Sequence, residues 1–166
     1  MKAITIKQPW ATLIAIGAKK FETRSWQTKY RGPIAIHAGK TIDIDACHDK
    51  SIIEALNKVG IFLTNDLPTG AIIAIAELKK CWSIVHHPGT DVDIAKTIQV
   101  GGELNVPRKH PDFHKYIVPT EEEVDFGDWT PGRYAWELDN VQKLNIPVPA
   151  KGKLSLWEWE EYSECL

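Results

Sequence analysis

Within GAKKFETRSW, residues 17–26, two lysines, a glutamate and an arginine fall inside six positions as Lys19, Lys20, Glu22 and Arg24. Arginine presents a planar fork of donors suited to phosphate or a base edge, and lysine a mobile point charge. A glutamate between cations can hold the arginine in place or accept a hydrogen bond from a nucleobase amino group. Trp10, Trp26 and Tyr30 supply flat apolar faces nearby in sequence; a base stacked on such a face where it is exposed gains about 1–3 kcal/mol, and Trp10 and Trp26 read equally as core residues. Cations, one carboxylate and an aromatic wall are the parts a nucleotide site needs. The same run as a solvated surface pair would contribute only about 0–1 kcal/mol.

Three further residue types bear on chemistry. His37 follows Ile34-Ala35-Ile36 and is either a phosphate or acid–base group or a satisfied structural histidine. Arg31, ahead of Gly32-Pro33, is either a phosphate contact or a turn residue. Glu77 closes the apolar run AIIAIAE and needs a partner if buried, with Lys19 or Arg24 as candidates. Cys81, His86, His87, His110 and His114 cluster loosely, but no CxxC or HExxH is present and Pro111 disfavours a helix joining His110 to His114. No metal and no cofactor are expected. VGGELNVPRK lacks the lysine and hydroxyl spacing of a phosphate-binding loop, so ATP hydrolysis is not expected either.

The elements that must carry these residues read as follows. AITIK (3–7) is a first strand, and Pro9 opens a short helix over about 9–17, with Trp10, Leu13 and Ile14 as its apolar stripe and Gly17 as its stop. Residues 20–26 form a second strand, on which Lys20, Glu22, Arg24 and Trp26 share one face and Phe21 turns to the core. GPIAIH (32–37) is a third strand. A second helix, capped by Asp43 or Asp45, runs through about Val59. AIIAIAEL (71–78) reads as a buried central strand, and the alternation in RYAWELDNVQKL (133–144) and LSLWEWEEY closes the chain with two more. Residues 82–132 are rich in breakers and charge and read as an irregular insertion. The whole is a single α+β domain, 1–166, with a mixed sheet.

Taken in order, QPWA, the G-x-K-x-x-E-x-R run of Gly17, Lys19, Glu22 and Arg24, the YRGP turn and LPTGAIIAIAEL resemble the ASCH domain family of the PUA-like superfamily. The resemblance implies a small PUA-like β-barrel with flanking helices and a cleft beside the first helix, lined by that run. It further implies binding of RNA or a nucleotide, modified nucleotides included. The expected contacts are Lys19, Glu22 and Arg24, then Lys20, Trp26, Tyr30, Arg31 and His37. One branch of the family hydrolyses amides with a lysine and a threonine three residues later. Here that position is Glu22, a departure that removes the hydroxyl nucleophile from its expected place; a hydrolase acting on RNA phosphodiesters or acylated nucleosides, with Lys19 and Glu22 catalytic, stands as the alternative. A third reading is a protein-interaction module using the acidic stretch Glu121–Asp128.

The charge distribution fits either one positive face offered to an anion or two halves that interleave in space and cancel. Residues 1–40 hold eight lysines and arginines against the single acid Glu22, while the remainder holds 12 basic and 21 acidic side chains. RNA or a nucleotide or nucleoside is the partner that the resemblance implies, with DNA as the alternative polyanion. The sequence specifies no oligomeric state. No apolar run approaches the roughly 20 residues of a membrane span, and Lys7 and Pro9 interrupt any secretory core. The cysteines, three in number, suit reduced thiols and a cytoplasmic location.

Overall fold

The computed structural model describes residues 1–86, 98–103, 116–117 and 119–160. In chain order the strands are β1 (Lys2–Gln8), β2 (Phe21–Arg24), β3 (Gly32–Ile42), β4 (Ala71–His86), β5 (Ile98–Glu103), β6 (Tyr116–Ile117), β7 (Tyr134–Pro149) and β8 (Leu156–Glu158). The helices are α1 (Trp10–Ala15), α2 (Lys50–Asn57) and α3 (Glu121–Asp125). The sheet order is β2-β7-β4-β3-β1-β8, with β5 paired to β4 and β6 to β5. This is a mixed α+β sheet. Among the described residues no pairing joins its ends, so the closed barrel is not found. The end strands, β2 and β8, have four and three residues, short for the tilted, staggered pairing that closure requires.

The chain divides into two compact units. The first comprises Met1–Lys19, Gly32–Glu77 and Asp139–Leu166. There β1 runs parallel to β3, with Ile4 opposite Ile36 and Thr5 opposite His37, and β8 pairs antiparallel on the other edge of β1. Alternation then sorts the side chains. Ala3 and Ala35 join Ile72, Leu144, Trp157 and Trp159 in one buried cluster. Ile4, Ile6, Ile34 and Ile36, all buried, take the opposite face. Helix α1 contacts both strands and buries Leu13 and Ile14, neither of which belongs to the Trp157 cluster, so it covers the isoleucine face.

Helix α2 starts later than the sequence suggests. Asp43 accepts the Ala46 N–H and a short 3₁₀ turn follows over Ala46–His48, leaving Asp49 as the cap, with its carboxylate accepting from Ser51 N–H at 2.9 Å. The Ser51 hydroxyl, donating at 2.6 Å, holds the Asp49 carboxyl below its usual range, with a smaller contribution from that N–H.

The second unit comprises Lys20–Arg31 and Leu78–Leu138. Strand β2 pairs antiparallel with β7, Glu22 opposite Trp136 and Arg24 opposite Tyr134. Phe21, Trp82, Ile84, Trp129 and Ala135 form its core, and Phe21 packs edge-on against Trp129. The expected irregular insertion contains more order than its composition suggests. Strand β4 extends to His86, β5 and β6 form a ladder beside it, and α3 follows, capped by the Thr120 hydroxyl on Glu123 N–H.

Candidate nucleic-acid interface

Lys19 is placed by the way α1 ends. Gly17 adopts φ +76°, the left-handed conformation glycine enters without a Cβ penalty. Its N–H binds the Ile14 carbonyl, while the N–H groups of Ala18 and Lys19 both bind that of Leu13. This is the paired closure of a Schellman motif. It turns the chain back along the helix, so that the Lys19 ammonium lies 5.9 Å from the Trp10 ring centroid, at the outer limit of a cation–π contact. Lys19 is only 1% exposed. At the other end of α1, buried Gln8 accepts the Thr12 N–H at 3.0 Å and donates to the Pro68 carbonyl at 2.6 Å. Gln8 thus ties QPWA to LPTG, a role its neighbours in sequence do not signal.

On β2, Glu22 and Arg24 share a face as expected. Glu22 Oε1 lies 2.9 Å from Arg24 Nε, with the Glu22 side chain 9% and the Arg24 side chain 25% exposed. Their cross-strand neighbours Trp136 and Tyr134 occupy the same side of the ladder. Trp26 packs edge-on against Trp136, centroids 4.6 Å apart, and its carbonyl accepts the Trp136 indole N–H at 3.4 Å. Tyr134 was visible in sequence only as part of an alternating run, and the register of β2 on β7 brings it opposite Arg24. Phe21 and Thr23 face the other way, where Thr23 Oγ1 accepts the Asp128 N–H at 3.0 Å.

The remaining residues take different positions. Lys20 is exposed, with its N–H held by the Glu123 carboxylate. Tyr30 is half-buried. Arg31 Nη1 donates to the carbonyls of Thr28 at 3.0 Å and Tyr30 at 2.7 Å, a hold on its own turn that favours the turn role. Glu77 accepts from Asn140 Nδ2 at 3.1 Å. Of the loose metal-ligand set, His87, His110 and His114 lie outside the described residues, and among the described residues no group of three His, Cys, Asp or Glu side chains is arranged to hold a metal.

His37 is 2% exposed. Its Nε2 lies 3.0 Å from the Ala150 carbonyl, which assigns Nε2 as the donor and leaves Nδ1 the acceptor in the neutral ring. Burial pushes its pKa below 6.5, opposed by the weaker effect of the Ala150 bond. The unfolded chain therefore takes up a proton near pH 6.5 that the folded chain resists. Stability is full above that pH and is lost as pH falls toward the folded value, with a limiting slope of about 1.4 kcal/mol per pH unit. Urea unfolding at pH 7.5, 6.0 and 5.0 should show a decline that His37→Gln flattens. Equal declines in both proteins would refute a buried neutral His37.

The described residues thus present a mixed sheet with few helices, with a Schellman-closed helix and buried Lys19 in the first unit and an anchored Glu–Arg pair in the second. The chain belongs to the ASCH domain family, whose model matches residues 4–147, including the segment 82–132 where no motif was evident. It is 32% identical over 157 residues to activating signal cointegrator 1 of Mus musculus, covering 93% of this chain and 22% of that protein. It is 32% identical over 82 residues to activating signal cointegrator 1 of Homo sapiens, covering 48% of this chain and 14% of that protein. The chain thus spans less than a quarter of the length of these relatives. Among the described residues no helix is long and apolar enough to cross a membrane.

Proposed function

We propose that this ASCH protein binds RNA or a modified nucleotide, with Lys19, Glu22 and Arg24 as principal contacts and Lys20, Trp26 and Tyr30 as supporting ones. The observation that carries the reading is the Glu22–Arg24 pair. A solvated pair leaves both partners in water, whereas here the carboxylate is 7% exposed as a residue and fixes an arginine that keeps a quarter of its side chain open. An arginine held this way loses less conformational entropy on meeting a phosphate or base edge. The aromatic neighbours Trp26 and Tyr134 supply the stacking surface. Cys47 and Cys81 as free thiols support a cytoplasmic setting.

The test is titration of an RNA oligonucleotide into wild type, Arg24→Ala and Lys19→Ala at two salt concentrations, followed by a gel. Binding by wild type should weaken with salt as counterions are released, and Arg24→Ala should lower affinity about tenfold or more. Salt-independent binding, or binding unaffected by both substitutions, would remove these residues from the interface. RNA cut by wild type and spared by Lys19→Ala and Glu22→Gln would instead establish the hydrolase reading.

A further inference from the structure

The first unit carries a second cationic concentration on the sheet face away from α1. Thr5, His37, Lys40, Gly70 and the segment from Ala150 to Leu154 line an open cavity of about 440 Å³. Its cations are Lys40, Lys151 and Lys153, all exposed, and among the described residues no acidic side chain lines it. Lys2 and Lys50, by contrast, are paired with Glu158 and Glu54. Lys153 Nζ sits 5.7 Å from the Trp157 ring centroid, which leaves the ammonium over an aromatic face. Beneath the lysines is His37, whose buried Nδ1 has no hydrogen-bond partner among the described residues, an uncommon state for a buried polar atom.

The strap that brings Lys151 and Lys153 over this floor depends on Gly152. A Cβ there would fall 2.5 Å from His37 Cε1, 2.7 Å from Nδ1 and 2.8 Å from Thr5 Oγ1. The strap is pinned by Thr5 Oγ1 donating to the Lys153 carbonyl at 3.0 Å and by the Ala150 N–H on the Gly70 carbonyl. Because Thr5 and His37 lie on the strand face opposite Ile4 and Ile36, the cavity is separated by the sheet from α1.

We propose that this cavity is a second ligand site, taking a phosphate ester of nucleotide size on Lys40, Lys151 and Lys153. Its volume falls within the roughly 300–1,000 Å³ of small-ligand sites and exceeds what one bare anion fills. The shared chemistry is a phosphomonoester or phosphodiester, supplied either by a free nucleotide or by the backbone of an RNA strand. Only the second source rests on the RNA-binding reading above.

The His37 imidazole resonances report on the floor of the cavity. Wild type, Lys151→Ala/Lys153→Ala, Lys40→Ala and Arg24→Ala are each titrated with adenosine monophosphate, inorganic phosphate and an RNA oligonucleotide, following those resonances. Saturable shifts with the mononucleotide, weakened about tenfold in the double variant and kept in Arg24→Ala, identify a free-nucleotide site, whether or not RNA binds. Shifts with RNA alone, lost in the double variant, identify a backbone-phosphate site. Arg24-dependent RNA binding with the His37 resonances unmoved by any probe would overturn the second site while leaving the first intact. Equal shifts in wild type and the double variant would also overturn it.

Discussion

Glu123→Ala should destabilise the protein by about 2–4 kcal/mol, although Glu123 sits in an acidic stretch that looks like solvated surface. The side chain is buried, and its carboxylate accepts the N–H groups of Lys20 and Phe21, the latter at 3.4 Å. Its own carbonyl accepts the Trp129 indole N–H at 2.7 Å. Among the described residues, strand β2 ends the sheet order and pairs with β7 on one side, and this carboxylate supplies acceptors of the kind a neighbouring strand would provide. Truncation leaves two backbone donors unsatisfied and vacates a buried volume. Glu123→Gln keeps an acceptor oxygen and should cost about half as much.

Urea unfolding followed by tryptophan fluorescence measures both losses, and amide exchange at Lys20 and Phe21 should accelerate in Glu123→Ala. A variant within about 0.5 kcal/mol of wild type, the range of ordinary surface changes, would show that the carboxylate is not anchoring β2. Because Glu22 and Arg24 ride on this strand, RNA affinity should fall in parallel.

This anchor marks the boundary of what the sequence discloses. Thr120-Glu121-Glu122-Glu123 has the spacing of a capping box, in which the glutamate returns to its own helix N-terminus. Half of that pattern forms, the Thr120 hydroxyl on Glu123 N–H. The other half is diverted to backbone about a hundred residues away in sequence, and no local period encodes such a partner. The inward face of Phe21, the shared face of Glu22 and Arg24 and the Gly17 stop were legible because each depends only on neighbours within a turn or a pleat. The cap of α2 was not, since Asp43, Asp45 and Asp49 are equally good caps by type and the intervening 3₁₀ turn decides among them. Strands β4 and β7 outran their apolar patterns to 16 residues each: β4 continues through its pairing with β5 at Trp82–His86, and the second half of β7 is largely exposed, so its alternation breaks. His37 stayed ambiguous for the same reason: the groups that bury it, Ala150, Gly152 and Trp157, come from the far end of the chain.

The basic character of the first 40 residues likewise resolves into separate uses once partners are known. Lys2 pairs with Glu158 at 2.5 Å, Arg31 holds its own turn, and Arg24 is oriented by the one acid in that stretch. Lys40 belongs to the cavity completed by Lys151 and Lys153. Net charge by segment therefore pointed toward an anion, but the second cluster forms only when residue 40 meets residues 151–153.

Gly152→Ala should expose that dependence, with a loss of about 1–3 kcal/mol and a Tm lower by roughly 2–4 °C for each kcal/mol. The added methyl would sit 2.5–2.8 Å from three atoms, inside van der Waals contact, and the atoms it meets have little freedom to yield. His37 is held between Ala150 and the Trp157 ring, centroids 5.7 Å apart. Thr5 Oγ1 accepts the Trp157 indole N–H at 3.2 Å while donating to the Lys153 carbonyl. The easier movement is outward displacement of the strap, which breaks the Thr5–Lys153 bond and carries both lysines away from Lys40. Gly17→Ala provides the contrast. A Cβ at Gly17 meets nothing within 4 Å, and its φ of +76° makes the cost one of backbone conformation, about 1 kcal/mol. Differential scanning calorimetry of the two variants, with the mononucleotide titration repeated on each, separates the cases. Gly152→Ala should lose stability and phosphate affinity together, whereas Gly17→Ala should leave the cavity unchanged. A Gly152→Ala protein as stable as wild type would mean that the strap does not rest on the His37 ring.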